Sequence, residues 1–125
     1  MILAKKHRHI LALAFGADMS SKQSAQALLN GLAEFMGLEQ YALADPYLEA
    51  VLKGFGGSAF VVRCIRGYEG AVLAALSFAK SLNGMPIGVC TLKISGTIKT
   101  LLEFASENRQ AIEELISYKP VENAK

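Results

Sequence analysis

The sequence predicts an α+β sandwich in which two helices cover one face of a four-stranded antiparallel sheet. Three observations lead there. Four strand-like runs and two segments of helical periodicity follow one another in the order β-α-β-β-α-β. Gly54-Phe55-Gly56-Gly57 joins the second and third strand-like runs at hairpin length. The two helical segments then form split crossovers around that central hairpin, which gives strand order 4-1-3-2.

Arg8 to Phe15 reads as the first strand, with Leu11, Leu13 and Phe15 on one face and Arg8, Ile10, Ala12 and Ala14 on the other. Both faces are largely apolar, so this strand belongs in the middle of the sheet. Ser20 to Met36 reads as the first helix. Ser20-x-x-Gln23 is an apparent capping box, and Ala25, Leu28, Leu29, Leu32, Phe35 and Met36 make an apolar stripe. Gly37 is a stop. Leu38 to Ala44 has no clear periodicity and ends at Asp45-Pro46.

Tyr47 to Lys53 and Ser58 to Arg66 alternate as the second and third strands, with the glycine-rich connector between them expected to be flexible. Tyr68 to Leu82 reads as the second helix, rich in small residues and capped by Asn83-Gly84. Pro86 prevents its continuation. The fourth strand is Ile87 to Ile94. Ile98 to Ala105 and Asn108 to Tyr118 continue as helix with a break near Ser106, and Ala111, Ile112, Leu115 and Ile116 form a stripe on the latter. The whole reads as one domain, 1–125, with a core at about 5–105, C-terminal helix at about 98–118 and a frayed tail at 119–125. The architecture is ferredoxin-like, the sandwich also found in RNA-recognition motifs.

On this reading the sheet face away from the two helices carries Ile10, Ala12, Ala14, Val51, Val61, Ile65 and Val89. That is too apolar for open water. The C-terminal helices are the nearest cover, and another protein the next.

The chain has 125 residues, 52% of them hydrophobic, and a formal charge of +2. The distribution of charge says more than its sum. Lys5, Lys6 and Arg8 stand with His7 and His9 before any acid, whereas Glu103, Glu107, Glu113 and Glu114 gather late. Cys64 and Cys90 sit in apolar strands and make no disulfide framework. With no signal peptide and no apolar run long enough to span a bilayer, a soluble protein of a reducing, cytoplasmic compartment is expected.

No catalytic centre is evident. His7 and His9 with a cysteine match no standard zinc spacing, and no serine or cysteine has an obvious base. Lys53-Gly54-Phe55-Gly56 opens like the RNA-recognition signature but continues with Gly57 and Ser58 in place of an aromatic and a valine. Tyr47 alone places an aromatic on the candidate open face, so base stacking across the sheet is not expected. Lys5, Lys6, His7 and Arg8, with Arg63, Lys93 and Lys99, suit contacts to a phosphate backbone, and equally a solvated strand end.

Ile87 to Lys99 organises the rest. A strand delivers Ser95-Gly96-Thr97-Ile98-Lys99 into a helix start, where hydroxyls cap the first amides, glycine permits close approach, and unpaired N–H groups attract anions. An ordinary N-cap and a phosphate contact both fit this spacing.

Lys6-His7-Arg8 leading into the first strand, Arg63-Cys64 before an alanine-rich helix, and Ser95-Gly96-Thr97-Ile98-Lys99 together resemble the protein component 2 family of ribonuclease P, shared with RNase MRP. The resemblance covers roughly residues 5 to 105. It implies a subunit that supports a catalytic RNA in removing the 5′ leader of precursor tRNA. Mg2+ would be held by the RNA, with no cofactor or catalytic residue in this chain. The implied partners are the ribonuclease P RNA, precursor tRNA in the holoenzyme and the TIM-barrel protein component 3, in a pair that doubles to a heterotetramer, with no membrane. A eukaryotic member would be nuclear or nucleolar. The resemblance implies RNA contacts at Lys6, His7 and Arg8 and, as a second contact or a structural turn beside one, at Ser95, Gly96, Thr97 and Lys99; with Lys5, Arg63 and Lys93 from the charge placement, these are the candidate RNA-binding residues. The competing readings are a ferredoxin-like ligand-binding module and a protein–protein adaptor without RNA binding.

Overall fold

The computed structural model describes residues 6–16, 18–79, 81–82 and 85–117. Its elements are β1 (His7–Phe15), α1 (Lys22–Met36), α2 (Leu38–Ala44), β2 (Tyr47–Val51), β3 (Ala59–Ile65), α3 (Glu69–Ser77), β4 (Ser81–Leu82), β5 (Met85–Pro86), β6 (Gly88–Ser95), α4 (Ile98–Glu107) and α5 (Arg109–Ser117). The main sheet runs β2-β3-β1-β6, all antiparallel. With β6 as the fourth core strand, this is the expected order 4-1-3-2 read from the other edge. β4 and β5 form a separate two-residue ladder.

β1 is central because its sequence has apolar residues on both faces. Ile10, Leu11, Ala12 and Leu13 are all fully buried. One core lies between the sheet and α1–α3, built on Ile10, Ala12, Phe60, Val62, Leu28, Leu32 and Leu76. The other lies beneath α4 and α5, where Leu11, Leu13, Ala59 and Val61 meet Leu101, Ala105 and Ile112. The C-terminal helices therefore cover the second face. Each large side chain fully buried there contributes about 1.5–3 kcal/mol.

The residues on that face differ from the seven expected there. Ile10 pairs with Val62 and Leu11 with Val61. Ile10, Ala12, Ala14, Val51 and Val89 thus face α1–α3, and of the seven expected residues only Val61 is in the core beneath α4 and α5. A one-residue slip of β1 against β3 exchanges every side chain between faces. Irregular pairing in β2, between Leu48 and Ala50, breaks its alternation as well, so that Leu48 and Val51 serve one core and Ala50 and Leu52 the other.

Other boundaries move for local reasons. The N-cap of α1 is Ser21, which accepts from the Ser24 N–H, while Ser20 is tied to Asp18. Gly37, at φ +86°, ends the helix as expected. The segment without clear periodicity is the short helix α2, closed by Asp45 in the left-handed region. α3 stops at Ser77 with Phe78 as its C-cap, and Ser81–Leu82 is strand. Lys5, the proposed Asn83-Gly84 cap and the tail 119–125 lie outside the described residues. The C-terminal break falls at Asn108, whose side-chain amide donates to the Phe104 carbonyl, instead of near Ser106. Of the stripe expected on α5, Ile112 is buried and Ile116 packs beside it, whereas Ala111 and Leu115 are exposed.

The glycine connector is not a loose hairpin. Phe55 is buried in the second core, and the Arg109 guanidinium lies 5.0 Å from its ring centroid. Arg109 also donates to the Gly54 carbonyl.

Candidate nucleic-acid interface

Antiparallel pairing brings the start of β1, the start of β2 and the ends of β3 and β6 to one end of the sheet. Lys6, His7, Arg8, Arg63, Arg66 and Lys99 therefore gather there, with Asp45, Glu49 and Glu69 as acids. The β1–β3 pairing reaches one residue past His7 and Ile65, where the Arg66 N–H donates to the Lys6 carbonyl at 2.8 Å. The sheet divides this end into two faces.

On the α3 side, Arg8 reaches from β1 toward the first turn of α3. Its Nε is buried, 3.5 Å from a Glu69 carboxylate oxygen, and has no hydrogen-bond partner among the described residues. Glu69 accepts from the Gly67 N–H. Its carboxyl is held below the usual range by hydrogen bonds from its own and the Gly67 backbone amides and by Arg8 and Arg66, with burial opposing. The same guanidinium approaches the β6–α4 turn: a Cβ added at Gly96 would stand 3.7 Å from an Arg8 terminal nitrogen. Arg8 is thus the residue that links β1, α3 and the Gly96 turn. Cys64, opposite Arg8 in the ladder, is fully buried, and burial pushes its thiol up to about 11, helped by Glu69 and opposed by Arg8.

On the opposite face, Tyr47 pairs with Arg63, Arg63 with His9, and His9 with Ser95. The Arg63 guanidinium lies 5.2 Å from the Tyr47 ring centroid. His9 Nδ1 and a Glu49 oxygen are 2.6 Å apart.

The Ser95-Gly96-Thr97 segment is an N-cap in this structure. Ser95 Oγ accepts from the Thr97 N–H, and Thr97 Oγ1 accepts from the Thr100 N–H. Lys99 is exposed in the first turn. Lys93 stands apart from the other cations. It is one row inward on β6, opposite Leu11, with its ammonium 5.3 Å from the centroid of the Phe104 ring.

Sequence reasoning missed Glu69 and Glu49 as partners, and Arg66 altogether. An acid in the first turn of a helix is a readable signal for Glu69. Glu49 is harder to find, because its role depends on the irregular pairing of β2. Among the described residues, no three His, Cys, Asp or Glu side chains gather to hold a metal ion. No described helix is long and apolar enough to cross a membrane.

No curated protein matches the chain. Among solved structures, a chain in the "Cryo-EM structure of yeast Ribonuclease MRP" matches with a TM-score of 0.58 at 12% identity, over 89% of this chain and 99% of that one. At this identity the match speaks to the fold alone. The model of the Rpp14/Pop5 family matches residues 3–106, a span that contains the basic end, the four-stranded sheet and nearly all of α4. The chain belongs to the Rpp14/Pop5 family of ribonuclease P and RNase MRP protein subunits.

Proposed function

We propose that this subunit holds the RNA of its ribonucleoprotein through the basic end of the sheet, supporting the RNA fold during removal of the 5′ leader from precursor tRNA. The observation that carries this reading is the convergence of Lys6, His7, Arg8, Arg63, Arg66 and Lys99 from separate elements on one end. Contacts of this kind fix position on a phosphate backbone without reading sequence, and they weaken with salt. In this reading phosphodiester hydrolysis and its Mg2+ belong to the RNA, and this chain contributes charge and shape.

A protein partner, the TIM-barrel component 3 in a pair that doubles, is part of the proposal. The support for it is apolar surface left open beside α1 and α3. Phe35 and Phe78 stack at 5.2 Å between centroids while 51% and 60% exposed, and Leu38 is 80% exposed.

Reconstitution tests the reading. The protein is added to a cognate ribonuclease P RNA, with and without component 3, and leader removal from precursor tRNA is followed. The expected result is faster cleavage with this chain present, and salt-sensitive binding that Lys99→Ala weakens. Leader removal indifferent to this chain, with RNA binding absent at low salt, would return it to a protein–protein adaptor.

A further inference from the structure

The row Tyr47–Arg63–His9–Ser95 crosses all four strands on the face that α4 and α5 cover farther along. The next row inward is Ala50–Val61–Leu11–Lys93, where the apolar core begins. The polar row thus begins where the apolar core under the helices ends. Its composition does not suit a phosphate alone. Tyr47 is 53% exposed, an aromatic residue open to solvent with the Arg63 guanidinium lying over its ring. Glu49, tied to His9, adds a carboxylate that repels phosphate.

Both features have one chemical use. Bases stack on aromatic rings and on arginine planes, and every unpaired base offers such a face. A carboxylate accepts hydrogen bonds and cannot donate one. With one Glu49 oxygen bonded to His9, the rest of its acceptor capacity suits an exocyclic amine of adenine, cytosine or guanine, and uracil carries none.

We propose that this row is a reading site for one unpaired nucleotide: the base adds to the Tyr47–Arg63 stack and an amine on its edge donates to Glu49. The proposal rests on the RNA-binding reading above and goes beyond it, because phosphate contacts distinguish neither unpaired from paired RNA nor one base from another. A single aromatic suffices here, since the guanidinium of Arg63 supplies the second plane.

The test is fluorescence anisotropy of the full chain with oligoribonucleotides of about eight residues of A, of C or of U, and with a blunt RNA duplex. Tighter binding of the A and C strands than of U and duplex is expected. Tyr47→Ala should lose about tenfold on the A and C strands and leave duplex binding and salt dependence unchanged, with Tyr47→Phe restoring affinity. Glu49→Gln, which gains a donor, should narrow the difference between U and the other strands. If Tyr47→Ala destabilises the fold in a thermal melt, Tyr47→Leu keeps the apolar bulk without the aromatic plane and is read instead. Equal binding of all four RNAs, or a Tyr47 variant that changes none or all of them alike while Lys99→Ala still weakens binding, overturns the base-reading site and leaves the phosphate contacts standing. Failure to bind any of these RNAs or the cognate ribonuclease P RNA overturns both.

Discussion

Arg8 and Glu69 face each other across 3.5 Å, and their approach ties the start of the central strand to the first turn of α3. The two side chains are 33% and 27% exposed, so the pair is partly solvated, and its contribution to stability is about 1 kcal/mol or less. Its larger effect is on charge at the basic end. Arg8→Ala should weaken RNA binding about tenfold and lower the salt slope by about one. Glu69→Gln keeps an acceptor for the Gly67 N–H but removes a negative charge, so RNA binding should strengthen a few-fold. Binding at two salt concentrations, with a thermal melt beside it, checks both. Weakening by Glu69→Gln to the level of Arg8→Ala would make Glu69 the residue that orients the arginine.

The pH range of the fold follows from Glu69 and from two groups raised by burial, Cys64 and Tyr41. The Glu69 carboxyl is depressed below its ordinary value of 4.5, chiefly by backbone hydrogen bonds. Its stabilisation is complete above that value and is lost as the pH falls through the folded-state pKa. Cys64 moves the other way. Burial raises its thiol from 9.0 to about 11, so the stability it favours is present below pH 9.0 and is lost as the pH climbs toward 11. Burial followed by Asp45 raises the Tyr41 hydroxyl as well, in the same direction. Denaturant unfolding across pH should show loss at both extremes. Cys64→Ala should flatten the alkaline limb by an amount on the order of 2–3 kcal/mol and leave the acid limb in place.

The two thiols should separate cleanly in reactivity. Cys90 is exposed on the edge strand, and Cys64 is fully buried. At neutral pH a rise from 9.0 to about 11 cuts the thiolate fraction of Cys64 about 100-fold before access is considered. A maleimide should label Cys90 promptly in the native protein, and Cys64 only when the fold opens. Cys90→Ser should leave a native protein with negligible labelling.

Strand order and helix placement were legible because β1 carries apolar residues on both faces, and because glycine punctuates the hairpin and the end of α1. Face assignment was not legible, because alternation within a strand says which residues share a side but not which side of the neighbouring strand they join. Ile10 and Val61 are expected on one face, whereas the ladder sets Ile10 opposite Val62 and Leu11 opposite Val61. The hairpin is tied to the segment after β1: the Met19 N–H donates to the Gly57 carbonyl, and a Cβ at Gly57 would meet the Asp18 carboxylate. Such a tie joins distant segments and leaves no period in the sequence. The candidate interface was legible to a similar extent. Its cations stand at strand ends and could be read as such, whereas Glu49 and Glu69 become partners only once the strands are registered.

Arg109 at the start of α5 offers the clearest case of a long-range tie to test. It donates to the Gly54 carbonyl at 3.1 Å, lies over the Phe55 ring and pairs with Glu113 one turn along α5. Gly54 has φ +89°, where a side chain is strained, and a Cβ there would meet the Arg109 guanidinium. Arg109→Ala removes a hydrogen bond, a cation–π contact and an exposed ion pair together and should cost about 1–2 kcal/mol. Gly54→Ala combines backbone strain with displacement of Arg109, so in the native background it should cost more than the roughly 1 kcal/mol of strain alone. In the Arg109→Ala background the second contribution is already gone. The two costs should therefore sum to more than the cost of the double variant, and the difference measures the tie. Amide exchange in α5 should quicken in Arg109→Ala while β1 stays protected. Strict additivity, with α5 exchange unchanged, would mean that Ile112 and Ile116 hold the helix down without help from the loop.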